Sequence, residues 1–386
     1  MAISGNITLF YIIGILVLCN LGCREPFSPE ISDFDQNILV VEGYIEVGGG
    51  TTQIHLSSTS SLYAGGDAGF VVPQAELTIR GEREGSWPLQ QVGYGAYEVS
   101  DYLPEDQSYI LSINLANGDS YRTDPISPMR SPEFDLSFTK EAGDVQVYAN
   151  TRGDAQNQYF LWVFEETWMY RTPHISYYNY DETRGGMVMI DREDLTYLCW
   201  NFNRSRRIIL ESSARYEDNR IFQKELLTID SLSEKLGIRY RINARQYVLD
   251  REAYVFWEGL RRNSDDIGSI FSPLPSAVSS NIYHTQNADI PVIGYISAGL
   301  SREKEMYIDR EAVSPWRTVI ADYQGCQIDT VSVAEYEEKF GRGNYVPLYE
   351  DCETFPCSGY FASTAGCTDC RLRGGTTTRP EDWQDD

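Results

Sequence analysis

The chain has 386 residues, with 32 basic and 57 acidic side chains and a formal net charge of −25. Phosphate backbones need a clustered positive field, so this balance argues against a nucleic-acid partner. Three histidines, His55, His174 and His284, keep no metal-ligand spacing, which argues against His-based metal hydrolysis.

In chain order, residues 1–22 carry no charged side chain, and Ile7 to Leu18 form an apolar run. At roughly twelve residues that run is too short to span a bilayer and fits the core of a signal peptide. It ends in Asn20-Leu21-Gly22-Cys23. A small residue directly before a cysteine resembles the lipobox of exported lipoproteins, which makes Cys23 the expected lipidation site. Asn20 departs from the usual apolar residue, and no Lys or Arg precedes the core. Residues 23–36 then read as a tether, because Pro26 and Pro29 interrupt a polar stretch. Glu25 and Glu30, close behind the cysteine, resemble a surface-export signal of Bacteroidota-type lipoproteins.

Removal of the leader leaves about 360 residues, enough for a large core and two or three domains. From 37 to 132 the apolar pattern has period two and is broken by turn residues, as in an antiparallel sandwich. Leu39, Val41 and Ile45 share a face, as do Leu77 with Ile79 and Leu111 with Ile113. Gly48-Gly49-Gly50, Gly93-Tyr94-Gly95 and Asn117-Gly118 supply turns. The expected fold is therefore mainly β: an immunoglobulin-like or transthyretin-like sandwich, followed by a larger β-rich unit with a few short helices.

That second unit is assigned to 133–325. It contains an aromatic strand, Tyr159 to Tyr170, whose Phe160, Trp162, Phe164 and Trp168 are too many to face water on both sides. Asp250 is placed to cap a helix running to about Arg262, with Ala253, Phe256, Trp257 and Leu260 on one stripe. Ser332 and Glu335 make a capping box before a helix to Phe340, and a shorter helix is expected through Ser231 to Leu236. Residues 326–386 form a cysteine-rich segment packed on the second unit.

Cys199, Cys326, Cys352, Cys357, Cys367 and Cys370 form an even set in an exported chain and read as disulfides, with the pairing open. The rival use is a zinc site built on Cys367-Thr368-Asp369-Cys370 with Cys352 and Cys357; no metal and no cofactor is expected. No GxSxG elbow, P-loop, dinucleotide GxGxxG or EF-hand loop occurs. The positive signal is 27 tyrosines, since amphipathic rings give contact area at small entropic cost. The candidate ligand-binding cluster is Tyr170, His174, Tyr177, Tyr178 and Tyr180, against the alternative that these rings cover the sheet behind them. Tyr63 with Gly65-Gly66-Asp67 is a second loop candidate, and Arg204, Arg206 and Arg207 are expected to pair with acidic neighbours.

One set of landmarks runs the length of the chain: Cys23 followed by Ile38-Leu39-Val40-Val41-Glu42-Gly43, then Gly268 to Pro275, Ser280-Asn281-Ile282 and Val292 to Ala298. The tail Cys367-Thr368-Asp369-Cys370-Arg371-Leu372-Arg373-Gly374-Gly375-Thr376, closing with Arg379-Pro380-Glu381-Asp382-Trp383, is the most specific. Through these the chain resembles an uncharacterised family, a domain of unknown function, of Bacteroidota outer-membrane lipoproteins whose genes neighbour SusC-type TonB-dependent receptors. Asp382 stands where an aromatic residue is expected. The resemblance implies a lipid-anchored protein on the outer membrane, facing the exterior, that partners a TonB-dependent nutrient receptor and binds without catalysing. It supplies no catalytic residues. The alternatives are an extracellular glycan or peptide hydrolase, or a structural or adhesive surface protein.

Overall fold

The computed structural model describes residues 38–59, 74–265, 280–352 and 357–384. The leader, Cys23 and the tether lie outside the described residues, as do Tyr63 with Gly65-Gly66-Asp67 and Gly268 to Pro275.

The fold is mainly β. Strands Leu39–Glu46 and Thr52–Ser58 pair antiparallel, and the turn between them needs Gly48 and Gly49, whose φ angles are 77° and 92°. Their sheet runs Gln90–Gly93, Ala96–Val99, Thr52–Ser58, Leu39–Glu46, Ser297–Leu300 and Met129–Arg130. The facing sheet runs Ile282–His284, Ser120–Thr123, Tyr109–Leu115, Ala75–Gly81 and Ser86–Pro88. Alternating residues bury between them: Leu39, Val41, Ile45, Ile54 and Leu56 from one side, Leu77, Ile79, Leu111 and Ile113 from the other. The buried Tyr109 hydroxyl donates to the Pro104 carbonyl five residues upstream, the tyrosine-corner arrangement of sandwich folds.

Residues 282–300, grouped by sequence with the second unit, return to this first sandwich. Tyr44, Ile45 and Glu46 pair in parallel with Ser297, Ala298 and Gly299, while Ile282–His284 pairs with Ser120–Thr123. Ile282, Val292, Ile296 and Ala298 bury in the sandwich core. Their strands are two to four residues long, too short for alternation alone to say which sheet they join.

The second unit has a sheet ordered Leu198–Arg204, Tyr159–Arg171, Arg239–Leu249 and Arg302–Asp309, with Ile209–Ser212 also paired to Tyr159–Arg171. A three-stranded sheet of Phe134–Glu141, Asp144–Arg152 and Arg220–Ile229 shares its core. Phe160, Trp162, Phe164, Trp168 and Ala244 join Val145, Val147, Ala149 and Ile221 there. The aromatic strand is covered on its other face too: Leu161, Leu210 and Leu249 pack with Ala253 of the helix Arg251–Asp265. Asp250 caps that helix, its Oδ1 accepting from the Ala253 N–H at 2.6 Å.

The join between units is a buried amide. Gln246 has no exposed surface; its Nε2 donates to Ser131 Oγ at 3.0 Å and to the Pro132 carbonyl at 2.9 Å, and its Oε1 accepts from Trp162 Nε1 at 3.0 Å. The turn leaving the first sandwich is thereby tied to the centre of the second core.

The C-terminal segment forms a sheet ordered Asp329–Ser332, Gly359–Thr364 and Tyr345–Asp351. Ser332 and Glu335 form their capping box, but the helix expected to Phe340 is a 3-10 turn followed by one wide turn over Glu337–Gly341. The helix expected through Ser231 to Leu236 is likewise one 3-10 turn, Glu234–Leu236. Such segments lack the length at which helix propagation offsets nucleation.

Candidate functional site

Among the described residues, three disulfides join the six cysteines: Cys199 to Cys370, Cys326 to Cys367, and Cys352 to Cys357. The two cysteines of the CxxC therefore bond to different partners and not to each other. No thiol remains among them for the zinc or redox alternative, although Glu350 lies near the Cys352–Cys357 pair. The pairing was open in the sequence because it depends on which distant strands meet.

The first bridge ties the tail to Leu198–Arg204, which pairs with Tyr159–Arg171, and the second ties it to the segment that leads into Asp329–Ser332. Gly374 takes a φ of 82°, and a side chain on Gly375 would stand 2.3 Å from the Tyr170 hydroxyl and 2.8 Å from Cys199 Cβ. Only glycine lets the backbone pass this close. Beyond it, Thr376 exchanges backbone hydrogen bonds with Trp200. Trp383 then buries against Trp200 and Tyr307.

A cleft of about 690 Å³ opens beside this tail. Four separate stretches wall it: Tyr170 to Ile175, Tyr197, the turn from Glu234 to Ile238, and the crossing from Arg310 to Tyr323. Four rings line it, Tyr170, Tyr197, Trp316 and Tyr323, together with three arginines, Arg171, Arg310 and Arg317. Its one lining carboxylate, Glu234, is already engaged. Glu234 accepts from Arg373 Nη1 at 2.8 Å and from Trp168 Nε1 at 3.3 Å, and Arg373 also holds Asp322 at 2.9 Å. The Arg373 guanidinium lies 5.2 Å from the Tyr170 ring centroid and 5.0 Å from that of Tyr323.

By contrast, Arg171, Arg310 and Arg317 have no carboxylate partner among the described residues; Arg310 Nη2 donates to the Trp316 carbonyl at 3.2 Å. Burial, with Tyr323 nearby, pushes the Tyr170 hydroxyl up to about 12, and burial raises Tyr323 as well. Both rings present neutral hydroxyls at physiological pH. Thr318 Oγ1 is buried without a hydrogen-bond partner.

The structure does not bring the five residues of the tyrosine cluster into one site. Tyr170 lines the cleft, and its hydroxyl donates to the Cys370 carbonyl at 2.7 Å. His174 lies next to the cleft wall in sequence, with its N–H donating to the Cys367 carbonyl and its Nε2 buried without a partner. Tyr178 packs edge-on against Tyr360, and Tyr180 against Tyr336 and Phe340. Those two rings cover the C-terminal sheet, while Tyr177 remains exposed. Arg204 pairs with Glu165 at 3.6 Å. Arg206 and Arg207 have no ion pair among the described residues, where acidic neighbours were expected. The signal that was missed is Pro315-Trp316-Arg317, an aromatic residue followed by a cation in a stretch with no strand pattern.

A smaller groove of about 320 Å³ lies between the units and carries Glu98, Glu165, Glu303, Arg204 and Arg245. Each of its carboxylates has a partner: Gln53 for Glu98, Arg204 for Glu165 and Arg245 for Glu303. Beside it, Glu46 accepts from the Ser301 N–H at 2.8 Å and is almost fully buried. Desolvation raises its carboxyl above the ordinary value.

No curated protein matches the chain. Among solved structures, it is similar over 53% of its length to 87% of the chicken interferon gamma receptor alpha chain, at 10% identity and a TM-score of 0.17. It is similar over 55% of its length to 91% of a DUF3823 family protein from Bacteroides ovatus, at 12% identity and a TM-score of 0.14. Neither likeness bears on function. The family described as a domain of unknown function, DUF4249, matches residues 24–305. That span takes in both β units and stops short of the Arg310 to Tyr323 wall of the cleft. The chain therefore belongs to the DUF4249 family.

Proposed function

We propose that this is a lipid-anchored binding protein of the outer membrane, facing the exterior and serving as the accessory partner of a TonB-dependent, SusC-like nutrient receptor. The observation that carries the binding part is the cleft itself. Aromatic and arginine side chains converge on a concave surface of about 690 Å³, within the size range of small-molecule sites. Its lining carboxylate is held by Arg373, which leaves no free acid and base pair in the cleft among the described residues. The carboxylates of the smaller groove are also engaged, so binding is favoured over hydrolysis.

The membrane part rests on the lipobox-like Leu21-Gly22-Cys23. The receptor part rests on the family resemblance of the tail and of the strand-forming segments. Anchoring both proteins in one membrane raises their effective concentration, so a modest interface suffices. The test is affinity purification of the tagged chain from its own membranes in mild detergent. The expected result is a large β-barrel receptor recovered in comparable amount and an acylated Cys23; recovery of the chain alone, with an unacylated N-terminus, contradicts the reading.

A further inference from the structure

The lining of the cleft is basic where the chain as a whole is acidic. The protein has a formal charge of −25, yet the only carboxylate among the cleft's lining residues is neutralised, and three guanidiniums there have no acidic partner among the described residues. Surplus arginines in so acidic a chain have abundant carboxylates to pair with. Grouping three of them unpaired at one concavity sets up an attraction for an anion from outside. Arginine adds geometry to charge, because its planar fork matches carboxylate and sulfate oxygens two at a time.

The rest of the lining says what carries the anion. Tyr197 and Tyr323 are half-buried ring edges and faces at the cleft surface, which suit a ring with an apolar face and a hydroxylated rim, while Tyr170 and Trp316 are buried in the core behind them. A bare inorganic anion would leave the rings unused, and a neutral sugar would leave the arginines unused.

The geometry points to an acidic saccharide as the ligand of this cleft: a small glycan whose ring lies against the aromatic side chains and whose carboxylate or sulfate is held by Arg171, Arg310 and Arg317. This rests on the reading of the protein as a binding module, and it deepens that reading by naming the ligand class.

The experiment titrates the full-length lipoprotein, purified in mild detergent, with four probes: trigalacturonate, a sulfated galactan trisaccharide, neutral galactotriose, and benzoate. The expected result is that at least one acidic sugar binds about tenfold or more tightly than galactotriose, a gap that narrows as salt is raised. The two acidic arms separate carboxylate from sulfate as the recognised group. The variant R171E/R317E reverses two exposed arginines that make no described ion pair, so it keeps the parent's thermal unfolding. It should lose about tenfold or more of the acidic-sugar affinity. R310A provides a second reading, since only its contact to the Trp316 carbonyl is at stake. Equal affinity for acidic and neutral sugars, no binding of either acid, binding of benzoate alone, or unchanged affinity in R171E/R317E would overturn the assignment. Binding of the acids without receptor co-purification would sink only the receptor reading. Co-purification without acid binding would sink only this one.

Discussion

Arg373 and Glu234 meet at 2.8 Å, joining the C-terminal tail to the turn that walls the cleft. The pair is mostly shielded, with side-chain exposures of 20% and 16%, and Arg373 stacks over Tyr170 on the same visit. Arg373→Met should leave the Glu234 carboxylate with the Trp168 indole as its described donor. The expected loss is about 2 kcal/mol, below that of a fully buried pair because both groups retain some solvent. Arg373→Lys should recover only part, since one ammonium cannot hold Glu234 and Asp322 in the same fork. Denaturant unfolding of the three proteins checks the order.

The bridges differ in what they restrain. Cys199–Cys370 closes 171 residues, while Cys352–Cys357 closes five. On chain entropy alone these contribute about 5 and about 2 kcal/mol. Replacing both cysteines of the long bridge by serine should cost clearly more than the same change in the short one. Equal losses would mean that the tail is held by its tryptophan and ion-pair contacts and not by the bridge.

Gln246→Leu should destabilise by about 2 to 4 kcal/mol, because the Trp162 indole N–H and the Pro132 carbonyl lose a buried partner. The expected signature is loss of coupling between the units: two unfolding transitions in the variant against one expected for the parent. A single transition at an unchanged midpoint would contradict the role given to this amide.

Glu46 gives a pH dependence with a definite sign. Its carboxyl is raised above 4.5 chiefly by desolvation, with Glu303 adding to the rise and the Ser301 contacts and Arg245 opposing it. The folded state therefore holds the proton more tightly than the unfolded state. The stability this contributes is complete below pH 4.5 and is lost as pH rises through the folded value. Glu46→Gln keeps the acceptor for the Ser301 N–H and removes the titration. The variant should match the parent at acid pH and exceed it at neutral pH, as read from unfolding midpoints across that range.

The period-two runs around Leu39 and Leu111, the Asp250 cap and the glycine turns were all legible, because each depends on residues within one element. What escaped depends on long-range meetings. Ser297-Ala298-Gly299 carries too little pattern to show that it pairs with Tyr44 to Glu46. An even cysteine count indicated bridges, but not that Cys367 and Cys370 would separate. Tyrosine abundance left two uses open for Tyr178 and Tyr180, ligand contact or cover for a sheet, and Tyr360, Tyr336 and Phe340 arrive from more than 150 positions away to pack against them. Of the residues singled out for ligand binding, Tyr170 lines the cleft. The other walls come from segments whose local sequence reads as loop.

Native mass spectrometry of the full-length protein after incubation with an acidic trisaccharide tests most directly whether the cleft binds its ligand without transforming it. The account predicts a complex whose mass is protein plus intact trisaccharide, absent in R171E/R317E. Release of a shortened sugar, with turnover abolished by changing one side chain, would contradict it.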